Sequence, residues 1–382
     1  MEITQKIQGI IKEFGLTGDI LSCEHIVNGH INNTYLIKTS DDKKFMVQKI
    51  NKYVFKNPEA IMHNIDRVTH HIRKKIREEG GDPERGTLRF LRRENGKNYY
   101  ENGDGSFWRI SVYVDKCTAY NSVSNPKMLF SAGYSFGKFQ RMLSDFPMDQ
   151  LYITITDFHN TPKRLKQLFD TAALDPCGRV KNVESELKFF TDRAERVCEL
   201  VRMQEKGLIP LRVTHNDTKY NNILIDDDSL EAICVIDLDT VMPGLSCYDF
   251  GDAIRFCANS AAEDEQDLSK VKLDLNNYTA FTNGFMEETK NFFTPLEIEN
   301  MAAGAIDITV ELASRFLEDY LNGDKYFQIH RENHNLDRAR NQIKLAMEME
   351  NNFETMNKIV KQHMQGVHKT ARQKSERQMS YS

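Results

Sequence analysis

The feature that most constrains this chain is an island of short strand patterns inside a C-terminal part that otherwise reads as helix. Arg212-Val213-Thr214-His215-Asn216-Asp217 leads to Asn222-Ile223-Leu224-Ile225, and the acidic turn Asp226-Asp227-Asp228 leads on to Ile233-Cys234-Val235-Ile236-Asp237. Two strands flank the turn, and polar residues gather at their outer ends. Loops mounted between packed strands are where reactive side chains are commonly carried. A chain that places His-x-Asp, then Asn five residues on, then Asp after a hairpin must fold so that these ends converge.

The residue types match one chemistry. Phosphoryl transfer needs a carboxylate to orient a hydroxyl nucleophile and accept its proton, and Asp217 fits that role. It also needs an amide oxygen and a second carboxylate to hold Mg²⁺ against nucleotide phosphates, for which Asn222 and Asp237 are the candidates. Lys219, two residues past Asp217, is placed to meet developing charge on the transferred group. A lone Asp or Asn would only cap a loop. The spacing, the hairpin and the apolar strand ending in Asp237 together point to a phosphotransferase.

The remaining sequence supplies two textures. The first 114 residues read as a small, mainly β lobe: strands near Asn33 to Lys38, Lys44 to Ile50, Lys97 to Tyr100 and Trp108 to Val114, with one helix from Pro58 to the Gly80-Gly81 stop. Residues 115–125 form a candidate hinge. Residues 115–365 form a large helical lobe, with helices expected over 128–143, 183–201, 278–292, 295–321 and 336–360. Residues 366–382 are polar and expected to be disordered. With 40% hydrophobic residues, including 22 Phe and 14 Tyr, the 382-residue chain can bury two cores, which argues against global disorder.

Charge and cysteine usage exclude several classes. Fifty-one basic and 56 acidic side chains give a net charge of −5, so no strong basic field marks a nucleic-acid partner. No apolar run reaches the length of a membrane span, and the start lacks the apolar stretch of a signal peptide. Seven scattered cysteines suit neither zinc spacing nor a disulfide framework. The expectation is a cytoplasmic protein, with no membrane and no nucleic-acid partner. Its oligomeric state stays open, a monomer slightly favoured, because an intramolecular partner satisfies the amphipathic helices equally well.

His215 to Asn222 resembles the catalytic loop of the aminoglycoside phosphotransferase and choline kinase branch of the eukaryotic-like kinases, and Ile236-Asp237-Leu238-Asp239-Thr240 resembles that branch's metal-binding segment. Asp249, in Tyr248-Asp249-Phe250-Gly251-Asp252, is read as tying loops together rather than binding metal. The stretches 28–32, 158–162, 213–224, 237–244, 249–256 and 315–326 are similar to the bacterial N-acetylhexosamine 1-kinases. The resemblance implies an α+β, two-lobed protein-kinase-like fold. It also implies ATP and Mg²⁺ as cofactors and phosphorylation of the C1 hydroxyl of N-acetylglucosamine or N-acetylgalactosamine. Asp217 is then base and substrate contact, with Thr240, Arg315 and Tyr326 as sugar contacts.

In the small lobe, Gly29, His30 and Asn32 are expected to shape the turn over the phosphates, and the backbone around Tyr113 and Val114 to meet the adenine. The usual phosphate-contacting position on the strand Phe45 to Lys49 carries Gln48. Lys49 points to the opposite face unless a bulge turns it inward. The alternatives are a kinase for another sugar, choline, homoserine or an aminoglycoside, and behind those a catalytically silent nucleotide-binding regulator.

Overall fold

The computed structural model describes residues 2–26, 32–122 and 125–364. The polar tail expected to be disordered lies outside them. Helix α1 (Glu2–Glu13) packs its apolar face of Ile7, Ile10 and Ile11 on a five-stranded antiparallel sheet. The strands are β1 (Ile20–Ile26), β2 (Asn33–Thr39), β3 (Lys44–Ile50), β4 (Tyr100–Glu101) and β5 (Phe107–Val112), in the order β1-β2-β3-β5-β4. Strand β1 had no counterpart in the sequence reading: its residues are half-buried or exposed, so no inward alternation marks it. The strand expected over 97–100 is confined to Tyr100–Glu101.

Between β3 and β4 run helix α2 (Pro58–Glu78) and the single turn α3 (Pro83–Gly86). Asn57 caps α2 by accepting from the Ala60 N–H, Pro58 occupies its first turn, and Ile61, Ile65, Val68 and Ile72 form its buried stripe. The hinge segment is not bare coil. It holds β6 (Cys117–Thr118), which pairs with a strand of the large lobe and so stitches the hinge to it.

The large lobe begins with α4 (Pro126–Met142), α5 (Thr161–Leu174), α6 (Glu184–Val197) and α7 (Glu199–Glu205). The strand island follows: β7 (Arg212–Thr214), β8 (Ile223–Asp226), β9 (Ala232–Val235) and β10 (Met242–Gly244). These form a β6-β8-β9 sheet and a β10-β7 pair. Then come α8 (Ser246–Cys257), α9 (Leu275–Thr289), α10 (Pro295–Glu299), α11 (Met301–Leu321), α12 (His334–Asn351) and α13 (Phe353–Gln362). Helices α4 and α9 press together backbone to backbone. A Cβ on Gly133 would lie 2.1 Å from the Phe281 carbonyl oxygen, and one on Gly284 would lie 1.9 Å from that of Phe130.

Three helices expected to be continuous are broken. The 183–201 helix is divided at Cys198, 295–321 at Asn300 and 336–360 at Asn352. At the latter two, the Asn side-chain amide donates to the carbonyl four residues back, to Leu296 and to Glu348, both at 2.8 Å. That bond competes with the helical ladder, while the apolar period runs on unbroken past the kink. The architecture is a two-lobed α+β kinase-like fold, a small β-rich lobe on a large helical one.

Candidate active site

A cleft of about 520 Å³ opens between the lobes. Thr34, Gln48 and Arg109 face it from the sheet and Asn32 from just before β2, Tyr113 and Val114 border it at the hinge, and Asp217, Lys219, Asn222 and Asp237 form its floor. The separated polar ends of the strand island therefore meet in one place.

The loop after β7 is held from behind. Asn216 sits in the left-handed region at φ 64°, a conformation Asn tolerates better than most residues. The backbone N–H groups of His215 and Asn216 both donate to the buried Asp249 carboxylate, at 2.8 and 2.7 Å, and Gln140 Nε2 adds a third bond at 2.7 Å. Burial pushes the Asp249 carboxyl up, and His215 with these amides pulls against it. His215 Nδ1 accepts from the Asp217 N–H at 3.3 Å, so Nε2 carries the proton and donates to the Ile236 carbonyl at 2.8 Å. The rings of Phe136 and Phe139 pack edge-on around that imidazole. His215 thus joins the loop after β7 to the end of β9.

In front, the side chains are arranged around Asp217. Lys219 Nζ lies 3.2 Å from its Oδ1, and Asn222 Nδ2 donates to its backbone carbonyl at 2.8 Å and to Oδ2 at 3.3 Å. Chiefly through Asp217, the ammonium of Lys219 is held above its ordinary pKa, so it stays charged. Because both contacts of Asn222 use its nitrogen, the amide oxygen is left for a cation. Asp237, also left-handed at φ 58°, has accessible surface in the cleft but lies at its bottom with protein packed around it. This enclosure, then the Asp239 and Asp217 carboxylates, pushes the Asp237 carboxyl upward, against the pull of Lys219 and Arg109.

The donor chemistry at Asn222 and Asp237 is hard oxygen, which suits Mg²⁺. Among the described residues no three His, Cys, Asp or Glu side chains form a closed metal site. Magnesium sites commonly use one or two carboxylates and take their other ligands from water and phosphate.

The other expected site residues fall in different places. Gly29 and His30 lie outside the described residues. Asn32 lines the cleft and donates to Asp239 at 2.6 Å. Pairing along β3 runs without a shift from Phe45 to Ile50 on its β5 side, so no bulge exists and Lys49 stays on the face opposite Gln48, away from the cleft. The Tyr113 N–H is already bonded to the Lys44 carbonyl at 3.3 Å. The Thr240 hydroxyl donates to the His215 carbonyl at 2.7 Å and is buried, tying down its own loop.

Arg315 and Tyr326 stand apart from the cleft lining. The Arg315 guanidinium lies over the rings of Phe158 and Phe327, and Tyr326 is 53% exposed. His159, next to Phe158, links that side to the catalytic loop. Its Nε2 bonds the Asn216 carbonyl at 3.0 Å and its Nδ1 the buried Glu311 carboxylate at 2.9 Å. With an oxygen acceptor at each nitrogen, the ring is satisfied as imidazolium.

The sequence reading gave no role to Arg109, which lines the cleft, or to Asp239 behind it. Arg109 and Asp239, each 2% exposed, form a buried ion pair between β5 and the segment after Asp237. An Arg inside the otherwise apolar run Trp108-Arg109-Ile110 was the available signal for the first.

A model of the phosphotransferase enzyme family, APH, matches residues 22–280. The chain belongs to that family. Solved structures of similar fold include a microcompartment-associated aminopropanol kinase, at TM-score 0.63 and 13% identity, covering 92% of this chain and 98% of that one. An aminoglycoside phosphotransferase from Alicyclobacillus acidocaldarius aligns at TM-score 0.60 and 13% identity, over 93% and 96%. An amicoumacin kinase in complex with AMP-PNP, Ca²⁺ and Ami aligns at 0.58 and 10%, over 91% and 96%. At such identities the likeness is one of fold. No described helix is long and apolar enough to cross a membrane, and all seven cysteines are free.

Proposed function

We propose that this member of the phosphotransferase family moves the γ-phosphoryl group of ATP to a hydroxyl of a small organic acceptor. The observation that carries the reading is the convergence of Asp217, Lys219, Asn222 and Asp237 on the floor of one interlobe cleft. Asp217 orients the acceptor hydroxyl and takes its proton as the new P–O bond forms and the bond to the departing ADP breaks. Lys219 pairs with Asp217 at 3.2 Å and places positive charge beside the transferred group. Asn222 and Asp237 would hold Mg²⁺, whose charge neutralises the phosphates. Since the transition state of such transfers is loose, positioning contributes more than basicity, and the buried Asp249 anchor supplies it.

Within that class, the acceptor we propose is a neutral, hydroxyl-rich sugar: an N-acetylhexosamine phosphorylated at C1. The support is the resemblance of the outer sequence stretches, together with the charge on the side where Arg315 stands. Two acidic groups there are already paired, Glu311 with His159 and Asp157 with Lys163. Among the described residues no carboxylate forms an ion pair with Arg315, which lies over two aromatic rings, or with Arg164, which bonds the Phe158 carbonyl, so their guanidiniums would repel a cationic amine. The solved structures of similar fold include an aminopropanol kinase and an aminoglycoside phosphotransferase, and an amino-alcohol or aminoglycoside acceptor is the reading this charge disfavours.

The test is release of ADP from Mg-ATP across a panel of N-acetylhexosamines, other sugars, choline, homoserine, amino alcohols and aminoglycosides. Turnover concentrated on the N-acetylhexosamines supports both levels of the proposal. Turnover on an amine-bearing acceptor keeps the kinase and removes the sugar. Nucleotide binding without turnover on any acceptor overturns the enzyme.

A further inference from the structure

Strand β3 faces the cleft with Gln48, a neutral amide, and Lys49 on the same strand points away. A site that binds polyphosphate against this wall needs a cation from elsewhere, because three adjoining phosphates concentrate negative charge and the floor already carries Asp217 and Asp237. One side chain in the described wall meets the need. Arg109 on β5 lies directly across from Gln48 in the β3–β5 register and lines the same cleft.

Its guanidinium is positioned from three sides. Nε donates to Gln48 Oε1 at 2.9 Å, Nη1 donates to Asp239 Oδ1, and the plane lies 5.3 Å from the Phe90 ring centre. Gln48 is fixed in turn by donating to the Thr34 hydroxyl at 3.1 Å. Asp239 Oδ2 accepts from Asn32 Nδ2 at 2.6 Å, and Asn32 Oδ1 accepts from the Asn51 N–H at 3.0 Å. Among the described residues no hydrogen bond engages Arg109 Nη2. A buried guanidinium with two nitrogens held and one unspent, bordering a cleft, is built to receive an anion.

We propose that Arg109 is the nucleotide-phosphate contact of the small lobe, held between the lobes by Asp239, and that Gln48 orients it instead of touching phosphate. The inference rests on the kinase reading above and names the part of that site that sequence position assigned to Gln48 or Lys49. Asp239 is a positioning residue. It lies two residues past the proposed metal ligand Asp237, so the same short segment sets the places of the cation and the guanidinium. Asn32 carries that connection to Asn51, just past the end of β3.

Binding rather than turnover tests this, by calorimetry with Mg-AMP-PNP and with adenosine on the full chain. Arg109→Met should weaken Mg-AMP-PNP by about 10- to 100-fold and adenosine by far less, the loss expected for one charge-assisted contact. Arg109→Lys should lie between. Since removing a buried cation also strands Asp239, the double variant Gln48→Lys with Arg109→Met supplies a second reading. It returns an ammonium to the cleft face, and recovery of Mg-AMP-PNP affinity supports a charge requirement. Equal losses for both ligands in Arg109→Met, with no recovery in the double variant, overturn the assignment and leave Arg109 a structural strut. Failure of the wild-type chain to bind Mg-AMP-PNP contradicts the kinase reading itself.

Discussion

On the floor of the cleft, the loop after β7 hangs from one buried carboxylate, Asp249, through two backbone amides, and Gln140 of α4 holds that carboxylate in turn. On the opposite wall, Arg109 is pinned by side chains alone, and its ion pair crosses to the other lobe. The Asp217 loop is therefore set within the large lobe, while the segment from Asp237 to Asp239 is tied to both lobes. The wall takes its final geometry only where the lobes touch.

Substitutions should separate the two. The largest effect belongs to Asp217→Asn, which removes the proton acceptor without disturbing the loop: kcat should fall by about 10²- to 10⁴-fold while calorimetric nucleotide affinity holds. Comparable loss of affinity would mean that Asp217 shapes the nucleotide site as well. Next comes Asp249→Ala. It leaves two buried N–H groups and an amide unpartnered, which costs about 2–5 kcal/mol of stability and should appear as a lower melting temperature with reduced kcat. Retention of both would break the claim that the floor hangs from this residue.

A smaller effect is expected on the wall. Asp239→Asn keeps the shape but loses the ion pair with Arg109, and nucleotide affinity should drop about three- to tenfold with kcat at saturation largely kept. If kcat fell and affinity held, floor and wall would not be separable. The smallest effect concerns His159. Burial alone would lower its pKa, but Glu311 and the Asn216 carbonyl outweigh it and hold the imidazole above the ordinary value of 6.5. Its ion pair then contributes stability that is full below pH 6.5 and is lost as pH rises through the raised folded value. Melting temperature against pH should flatten in that window in His159→Gln, and an unchanged profile would remove the imidazolium from the description.

The same contrast explains what could be read from the sequence. Asp217, Lys219 and Asn222 share one loop, and Asp237 follows one hairpin later, so local spacing reports their convergence. Arg109 and Asp239 are 130 residues apart and meet only after two lobes pack, which no local spacing encodes. The alternation of β3 did indicate that Gln48 and Lys49 face opposite ways, because period two is a property of the strand itself. Strand β1 was missed because its exposed edge lacks that alternation, and the helix breaks at Asn300 and Asn352 because side-chain amides make them without interrupting the apolar stripe. Arg315 and Tyr326 came through resemblance, and their position beside Phe158 and Phe327 depends on tertiary packing of α11 and the segment after it.

The most direct test of phosphoryl transfer from this cleft is proton-coupled phosphorus NMR of the wild-type protein and Asp217→Asn, each incubated with Mg-ATP and N-acetylglucosamine or N-acetylgalactosamine. A new phosphomonoester resonance coupled to the C1 proton, present with wild type and abolished in the variant, is the expected result. A phosphomonoester formed equally well by Asp217→Asn would contradict the assignment of the catalytic base. No phosphoester from these sugars or from any other acceptor of the panel, with Mg-ATP bound, would contradict the kinase.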